Sequence, residues 1–146
     1  MKKLKFKSNL RFFLIIALLL LAFVRCDETD TRFPYVSVYV KLSLDTQLGN
    51  MPVGQYKEIS GYGLGGLIIY RNDYNEFQAF DRACTYEASS ECKIKDEVSI
   101  FTCPCCESQF IMTGEIAGTV FQGPANQALR QYNCYFDGLN TITVSN

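Results

Sequence analysis

The sequence predicts a small antiparallel all-β fold, either a sandwich or a barrel. Residues 34–44 alternate strictly, with Val36, Val38, Val40, Leu42 and Leu44 on one face, which is the pattern of a half-buried strand. Beyond this strand, short runs of β-forming residues are interrupted by Gly, Pro, Asn or Asp. No segment after residue 33 has helical periodicity. Many short strands joined by frequent turns are typical of small sandwiches and barrels.

The remaining strands are predicted from the β-forming runs and the turns between them. A weak strand is expected over residues 56–59, and residues 67–70 form an apolar strand after the glycine-rich stretch 61–66. We interpret that stretch as a turn or bulge, because a dinucleotide-binding loop would open a helix. Further strands are predicted over residues 74–80, 98–102, 108–112, 118–122, 129–136 and 141–144. Asp137-Gly138 before the last of them is a hairpin signal.

The N-terminal residues have the pattern of an export signal. Five basic residues lie in the first eleven positions, and residues 12–24 are thirteen consecutive apolar residues. This run fits a signal peptide and is shorter than the roughly 20 residues that span a membrane. The run ends at Cys26, and the arrangement resembles bacterial lipoprotein precursors, whose cysteine is lipidated after cleavage. Arg25 departs from that pattern, which has a small residue before the cysteine.

This resemblance divides the chain into a signal peptide (residues 1–25), an acidic tether (26–33) and a folded domain (34–146). The tether contains Asp27-Glu28-Thr29-Asp30, which resembles the export tags of surface lipoproteins of the Bacteroidetes. A plain solvated linker is the alternative. The resemblance implies an exported protein that is anchored by lipid in the cell envelope, on the periplasmic or the surface face of the outer membrane. It leaves open which face that is.

The charge of the exported part argues against nucleic-acid binding. Six of the 14 Lys and Arg residues precede Cys26, whereas all 15 Asp and Glu residues follow it. The part after Cys26 therefore carries 8 − 15 = −7 charges. Nucleic-acid binding needs a basic face, so no nucleic-acid partner is expected. The expected partners are the membrane, through the lipid anchor, and a protein of unknown identity.

Most of the cysteines lie in one segment, residues 77–120. It contains an aromatic strand, a Cys84-Thr85-Tyr86 loop, a second strand and the loop Cys-Pro-Cys-Cys-Glu-Ser over residues 103–108. A Thr-Gly turn and the Gly-Pro-Ala sequence at 123–125 follow. This order resembles the Rieske domain, which holds a 2Fe–2S cluster between two loops that read Cys-x-His and Cys-Pro-x-His-Gly-Ser. The resemblance implies a small antiparallel Rieske-like sandwich or barrel with a two-loop, cysteine-rich subdomain.

The resemblance assigns a role to each loop position. Cys84 and Cys103 match the two cysteine ligands, whereas the two histidine positions are Tyr86 and Cys106. The sequence contains no histidine, so it cannot supply the two imidazoles of a Rieske cluster. Cys106 can replace one imidazole with a thiolate, and Cys92 is the candidate for the other. Cys84, Cys92, Cys103 and Cys106 would then hold a low-potential 2Fe–2S cluster or a zinc ion.

The export pattern favours a third possibility, a domain without a cluster. Thiols tend to pair in oxidising compartments, and six cysteines remain when Cys26 is lipidated. Six cysteines allow 15 connectivities. Some Rieske proteins cross-link their two loops through non-ligand cysteines, and by position that resemblance points to Cys92 with Cys105. It also brings Cys84 close to Cys103 as a second candidate pair. Cys106 and Cys134 are left as a third bridge or as free thiols.

Two functions follow from these alternatives. The favoured one is a membrane-anchored binding or structural module without a cluster. It would bind a partner with its acidic loop end and with aromatic residues such as Tyr86. The acidic residues around the cysteine loops are expected to form a solvated face: Asp81, Glu87, Glu91, Asp96, Glu97 and Glu107. The alternative is a 2Fe–2S electron-transfer protein with cysteine-rich ligands; a zinc or redox-thiol site ranks below both. Without histidine there is no Ser-His or Cys-His pair, so no catalytic residue is assigned and the chain is at most an electron carrier.

Overall fold

The structure, a computed structural model, describes residues 33–97 and 99–146. The signal peptide, Cys26 and nearly all of the tether lie outside the described residues. The described part consists of short antiparallel strands, so the predicted all-β fold class is confirmed. Its strands are β1 (Tyr39–Ser43), β2 (Tyr56–Ile59), β3 (Leu67–Asp73), β4 (Glu76–Asp81), β5 (Lys95–Asp96), β6 (Ile100–Thr102), β7 (Gln109–Ile111), β8 (Val120–Gln122), β9 (Gln131–Phe136) and β10 (Thr141–Ser145).

The strands form two antiparallel sheets. The larger sheet has the order β1-β10-β9-β4-β3-β2, and the smaller has the order β5-β6-β7-β8. In the described residues the only helical element is a single 3₁₀ turn at Gly114–Ile116. None of the described residues belongs to a helix with the length and apolar character needed to cross a membrane.

The first strand is shorter than its sequence pattern. Val38, Val40, Leu42 and Leu44 are buried as the alternation predicts. However, the strand begins only at Tyr39, because Tyr39 pairs with Ser145, where β10 ends. Before Tyr39 there is no strand partner in the described residues, and a side chain provides the hydrogen bond: Asn146 Oδ1 accepts the Val38 N–H at 3.0 Å. The alternation therefore identified the buried face, whereas the partner strand determines where pairing starts.

The apolar strand β3 connects two hydrophobic cores. Leu67 and Ile69 pack into the core beneath β1 and β10, while Ile68 and Tyr70 pack into a second core beneath the smaller sheet. The strand is buried on both faces, and this explains its continuous apolar sequence. The second core also contains the cysteines of the two loops. The cysteine-rich subdomain is therefore built onto β3, which lies between β4 and β2 in the larger sheet.

Asp81 is a fully buried carboxylate at the end of β4, immediately before the first cysteine loop. The acidic residues around the cysteine loops were expected to form a solvated face, and for Asp81 this expectation is wrong. Its oxygens accept the N–H groups of Leu64, Gly65 and Ala83 at 2.6–2.8 Å and the Tyr132 hydroxyl at 2.8 Å. Burial and this carboxylate raise the pKa of Tyr132 above its usual value. Four donors compensate the buried charge and tie the glycine-rich turn to β4 and β9.

We predict that Asp81→Asn lowers the free energy of unfolding by about 3 kcal/mol, because an amide cannot accept all four hydrogen bonds and its NH₂ group faces other donors. Chemical denaturation of the purified protein measures the change. Asp45→Asn, at an exposed turn position, is the matched control and should leave the stability nearly unchanged. Equal effects of the two substitutions would contradict the role assigned to Asp81.

Candidate metal centre

The first cysteine loop joins β4 to β5 and places Cys84 beside Cys92. The main chain of the loop folds back on itself, since the Cys84 N–H donates to the Cys92 carbonyl at 2.9 Å. An isolated β-bridge between Ala83 and Lys93 closes the same loop. The Thr85 hydroxyl donates to the carbonyl of Gln127 at 2.7 Å and anchors the loop to the segment after β8. Both cysteines are thus fixed by backbone contacts at the loop base.

The second cysteine loop is a tight turn between β6 and β7. The Cys103 N–H donates to the Ser108 carbonyl at 2.8 Å, and the Glu107 N–H donates to the Cys103 carbonyl at 2.9 Å. Glu107 has a φ of 60°, in the left-handed region. The Rieske pattern has glycine at this position, and glycine adopts this conformation without steric cost. The turn therefore keeps its backbone shape in this chain although the residue that favours that shape is absent.

Ser108 connects the second loop to the Gly-Pro-Ala segment. Its Oγ accepts the Ala125 N–H at 3.0 Å and lies 3.1 Å from Cys106 Sγ. Gly123 packs on the backbone of Ser108 so closely that a Cβ atom at Gly123 would lie 2.5 Å from the Ser108 Cα. Ser108 is fully buried. It was not identified from the sequence as a site residue, although it occupies the serine position of the Rieske loop pattern.

A disulfide between Cys92 and Cys105 cross-links the two loops. This is the pair to which the family resemblance pointed. Its Cα atoms are 5.7 Å apart, which is an ordinary separation for a disulfide. A carboxylate oxygen of Glu87 lies 3.3 Å from Cys92 Sγ, but the bonded sulfur has no proton to donate. The cross-link leaves Cys92 unable to serve as a metal ligand, and the proposed four-cysteine site that includes it is not assembled.

Three free thiols meet next to this disulfide. The Sγ atoms of Cys84, Cys103 and Cys106 all lie within 4.8 Å of one another. The Sγ atoms of Cys84 and Cys106 are 3.6 Å apart. The second candidate bridge, Cys84 with Cys103, is not formed, since both residues are free thiols. We refer to Cys84, Cys103 and Cys106 as the thiol triad.

The hydrogen bonds around Cys106 favour its ionised form. Burial opposes ionisation of Cys106, but hydrogen bonds from the hydroxyl and N–H of Ser108 and from the thiols of Cys84 and Cys103 lower its pKa. The Ser108 hydroxyl proton is free for this bond because its oxygen already accepts the Ala125 N–H. A negative charge on the triad is therefore stabilised at Cys106.

Cys84 behaves in the opposite way. Burial raises the pKa of the Cys84 thiol to about 12, although the N–H groups of Glu87 and Tyr86 donate to its sulfur and act to lower it. Cys84 and Cys103 are fully buried, whereas Cys106 is half-buried. The triad thus has one sulfur near solvent and two sulfurs in the core, with backbone N–H donors already directed at Cys84.

The other predicted site residues lie apart from the triad. Tyr86, at the histidine position of the first loop, has 44% of its surface exposed, and its backbone N–H faces Cys84. Cys134 is on β9 and packs against the first core, whereas the triad belongs to the second. Burial raises the pKa of Cys134 to about 12. Cys106 and Cys134 are both free thiols and form no third bridge.

The two cysteine loops face each other, are cross-linked and lie against the Gly-Pro-Ala segment, as in the two-loop, cysteine-rich subdomain that the sequence predicts. No model of a protein family and no curated protein matches the sequence. Several solved structures have a similar chain trace.

One is the ferredoxin of carbazole 1,9a-dioxygenase from Nocardioides aromaticivorans IC177, at 18% identity over 76% of this chain and 98% of that chain, with a TM-score of 0.45. Another is a ferredoxin of Sphingomonas yanoikuyae B1, at 18% identity over 75% and 99% of the two chains, with a TM-score of 0.46. A third is a chain from the complex of reduced oxygenase and oxidized ferredoxin in carbazole 1,9a-dioxygenase, at 20% identity over 74% and 93%, with a TM-score of 0.47. These likenesses concern the chain trace alone, and the site described above is that of this chain itself.

The donors at this site do not fit the cluster that the family resemblance implies. A 2Fe–2S cluster takes four protein ligands, two on each iron. The described residues assemble three sulfur donors, and Cys92 is bonded to Cys105. Tyr86 offers only a phenol, a harder donor that ionises near pH 10 when unperturbed. The separations within the triad match ligands around one metal ion.

We predict that Glu107→Gly raises the free energy of unfolding by about 1 kcal/mol, because it removes the cost of a side chain in the left-handed region. Thermal or chemical unfolding measures the change. Glu91→Gly, at another exposed acidic position of these loops, is the control and should not stabilise the protein. A destabilised Glu107→Gly variant would mean that the glutamate side chain contributes more than its backbone costs.

The cross-link gives a second prediction. Reduction of the Cys92–Cys105 disulfide should lower the free energy of unfolding by about 2–4 kcal/mol, as expected for a bridge that closes a loop of this size. The Cys92→Ser/Cys105→Ser double variant should already have the lower stability and should not respond to reductant. Cys134→Ala should respond as the wild type does. Insensitivity of the wild-type protein to reductant would contradict the structural role of the bridge.

Proposed function

We propose that this chain is a metal-binding module of the cell envelope, in which the thiol triad holds one thiophilic ion such as Zn²⁺. The observation that carries the proposal is the convergence of three free thiols within 4.8 Å beneath a cross-linked pair of loops. In this proposal the domain contains no iron–sulfur cluster. It functions in binding or as a structural element, and no catalytic residue is assigned to it.

The spacing of the sulfurs supports a single ion. Thiolates around a tetrahedral zinc lie about 2.3 Å from the metal, which separates neighbouring sulfurs by roughly 3.8 Å. The 3.6 Å distance between Cys84 and Cys106, and the 4.8 Å limit for the whole triad, are close to this value. Small side-chain adjustments would therefore complete three sites of a tetrahedron. The loops need not move, because the disulfide and the Ser108 contacts already hold them.

The polar groups around the triad support binding of thiolates. The N–H groups of Tyr86 and Glu87 point at Cys84, and the hydroxyl and N–H of Ser108 point at Cys106. Donors of this kind stabilise metal-bound sulfur and hold it in position. Soft thiolate ligands select zinc, copper(I) or iron over the harder ions. Three protein ligands leave one position of a tetrahedral ion for water or a small ligand.

The envelope location in this proposal is supported by the N-terminal sequence. The basic start, the apolar run over residues 12–24 and Cys26 have the order of a lipoprotein signal. A disulfide in the domain suits an exported protein. The lipid on Cys26 would attach the domain to the membrane, and the loop end with the exposed Tyr86 would be available to a protein partner.

The proposal predicts the metal content of the protein purified anaerobically from its native host. We expect about one zinc or other thiophilic ion per chain, no acid-labile sulfide and no visible absorption. Elemental analysis, a sulfide assay and a spectrum measure these quantities. Two irons per chain with labile sulfide and visible bands would overturn the proposal and establish a 2Fe–2S protein.

Variants test which residues hold the ion. Cys84→Ser and Cys106→Ser should weaken zinc binding by more than about 100-fold, because loss of a ligand exceeds the 10–100-fold cost of losing a supporting residue. Ser108→Ala should fall within that 10–100-fold range. Cys134→Ser is the matched control, a cysteine outside the triad, and should bind zinc as the wild type does. Zinc affinity that is indifferent to Cys84 and Cys106 would exclude the triad as the site.

A further inference from the structure

We propose that Cys84 and Cys106 are also a dithiol–disulfide couple, which closes a second bridge between the two loops by exchange with an external disulfide. The family resemblance does not suggest this pairing, since it places Cys84 beside Cys103. The bridge itself requires only the three thiols and the loop geometry. Its consequence for metal retention, described below, rests on the proposed function.

The distance between the two sulfurs carries the inference. Cys84 Sγ and Cys106 Sγ are 3.6 Å apart and in hydrogen-bond contact. A disulfide bond is about 2.05 Å long, so the sulfurs must approach by about 1.5 Å, which rotation of the side chains can supply. The two loops are already cross-linked through Cys92 and Cys105. Little additional chain entropy is lost when a second bridge forms between the same loops.

Exposure determines the order of the reaction. Cys106 is the half-buried member of the triad, while Cys84 and Cys103 are fully buried. An external disulfide can therefore reach Cys106 and cannot reach the other two sulfurs in the folded protein. A direct bridge between Cys84 and Cys103 would have no sulfur accessible to the oxidant. Cys106 is the entry thiol in this scheme, and Cys84 is the thiol that resolves the intermediate.

The exchange balances in two steps. In the first, the Cys106 sulfur attacks an external disulfide RS–SR, its proton leaves with one RS⁻ as RSH, and a mixed disulfide Cys106–S–S–R forms. In the second, the Cys84 sulfur attacks the Cys106 sulfur, the S–S bond between Cys106 and the RS group breaks, and a second RS⁻ leaves as RSH with the Cys84 proton. The chain loses two electrons and two protons, and the external disulfide gains them.

Oxidation of this pair would remove two of the three ligands of the proposed metal site. Disulfide sulfurs are poor ligands compared with thiolates, and Cys103 alone cannot retain the ion. The metal would therefore be released when the pair is oxidised and could bind again when it is reduced. The site would couple metal retention to the thiol–disulfide balance of its compartment.

The test treats the anaerobically purified, metal-free full-length protein with oxidised glutathione. The free-thiol count should fall by two, and mass spectrometry of unreduced peptides should find Cys84 linked to Cys106 beside the existing Cys92–Cys105 bridge. Cys84→Ser should stop at a stable glutathione adduct on Cys106. Cys106→Ser should form neither the adduct nor the second bridge. Cys134→Ser should behave as the wild type does.

A bridge from Cys103 to either partner, or an unchanged thiol count, would overturn the proposed pairing. A second arm repeats the oxidation with zinc-loaded protein and a zinc indicator, where about one equivalent of zinc should be released as the bridge forms and should rebind after reduction. Bridge formation without any zinc binding would reject the proposed function and leave the redox pair intact. Zinc that stays bound to the oxidised protein would reject the coupling.

Discussion

The covalent bond between Cys92 and Cys105 is the constraint on which the candidate site depends. Each loop is short and irregular, and each is anchored at its base by a few backbone hydrogen bonds. The bond joins one residue from each loop, so that the remaining cysteines of the two loops face one another. Without it, the cysteines would contribute only weak S–H hydrogen bonds to the contact between the loops. The bridge fixes the separation of the loops, and the three sulfurs of the triad remain free thiols.

The surrounding fold supports this arrangement from two sides. Ser108 holds the second loop against the Gly-Pro-Ala segment and orients a proton toward Cys106. Asp81 fixes the start of the first loop by gathering the N–H groups of Leu64, Gly65 and Ala83. Both residues are fully buried polar groups with complete sets of partners. Such networks have a strongly preferred geometry, because any displacement leaves a buried group unsatisfied.

The sequence predicts local features of the fold well and the composition of the site only in part. Alternation over residues 34–44 identified a buried face, and the turn residues bounded the later strands. Those signals are local, so they can be interpreted without the fold. The order of the loops also indicated the Cys92–Cys105 pair by resemblance.

The features that the sequence did not predict depend on contacts between distant residues. The burial of Asp81 results from backbone N–H groups 16 and 17 residues earlier in the chain and from Tyr132, 51 residues later. The resemblance groups Cys84 and Cys106 in one candidate site, but the 3.6 Å separation of their sulfurs depends on how the two loops face one another. Residue types and spacing fix neither relation. The burial of Asp81 and the position of Cys106 can be identified only from the three-dimensional arrangement of the loops.

The residues at the two histidine positions of the Rieske pattern bear on how many ions the loops would hold in the proposed function. In a Rieske centre the two loops each contribute one thiolate and one imidazole, and the longer imidazoles reach a second iron. A cysteine at position 106 has a shorter side chain, and its sulfur lies 3.6 Å from that of Cys84. The third donor thereby approaches the first two, which suits the single ion of the proposed function better than a two-iron cluster.

In the oxidising compartment of the proposed function, the thiol triad would persist only if most of its thiols were protected from attack by disulfides. Thiolates attack disulfides far faster than thiols do, so a thiol that is buried and protonated reacts slowly. Cys84 meets both conditions, since it is fully buried and its pKa is raised to about 12. Cys106 meets neither, because it is half-buried and its pKa is lowered by the donors around it. The same Ser108 hydroxyl that would stabilise a metal-bound thiolate at Cys106 therefore makes this sulfur the point at which the site is open to oxidation.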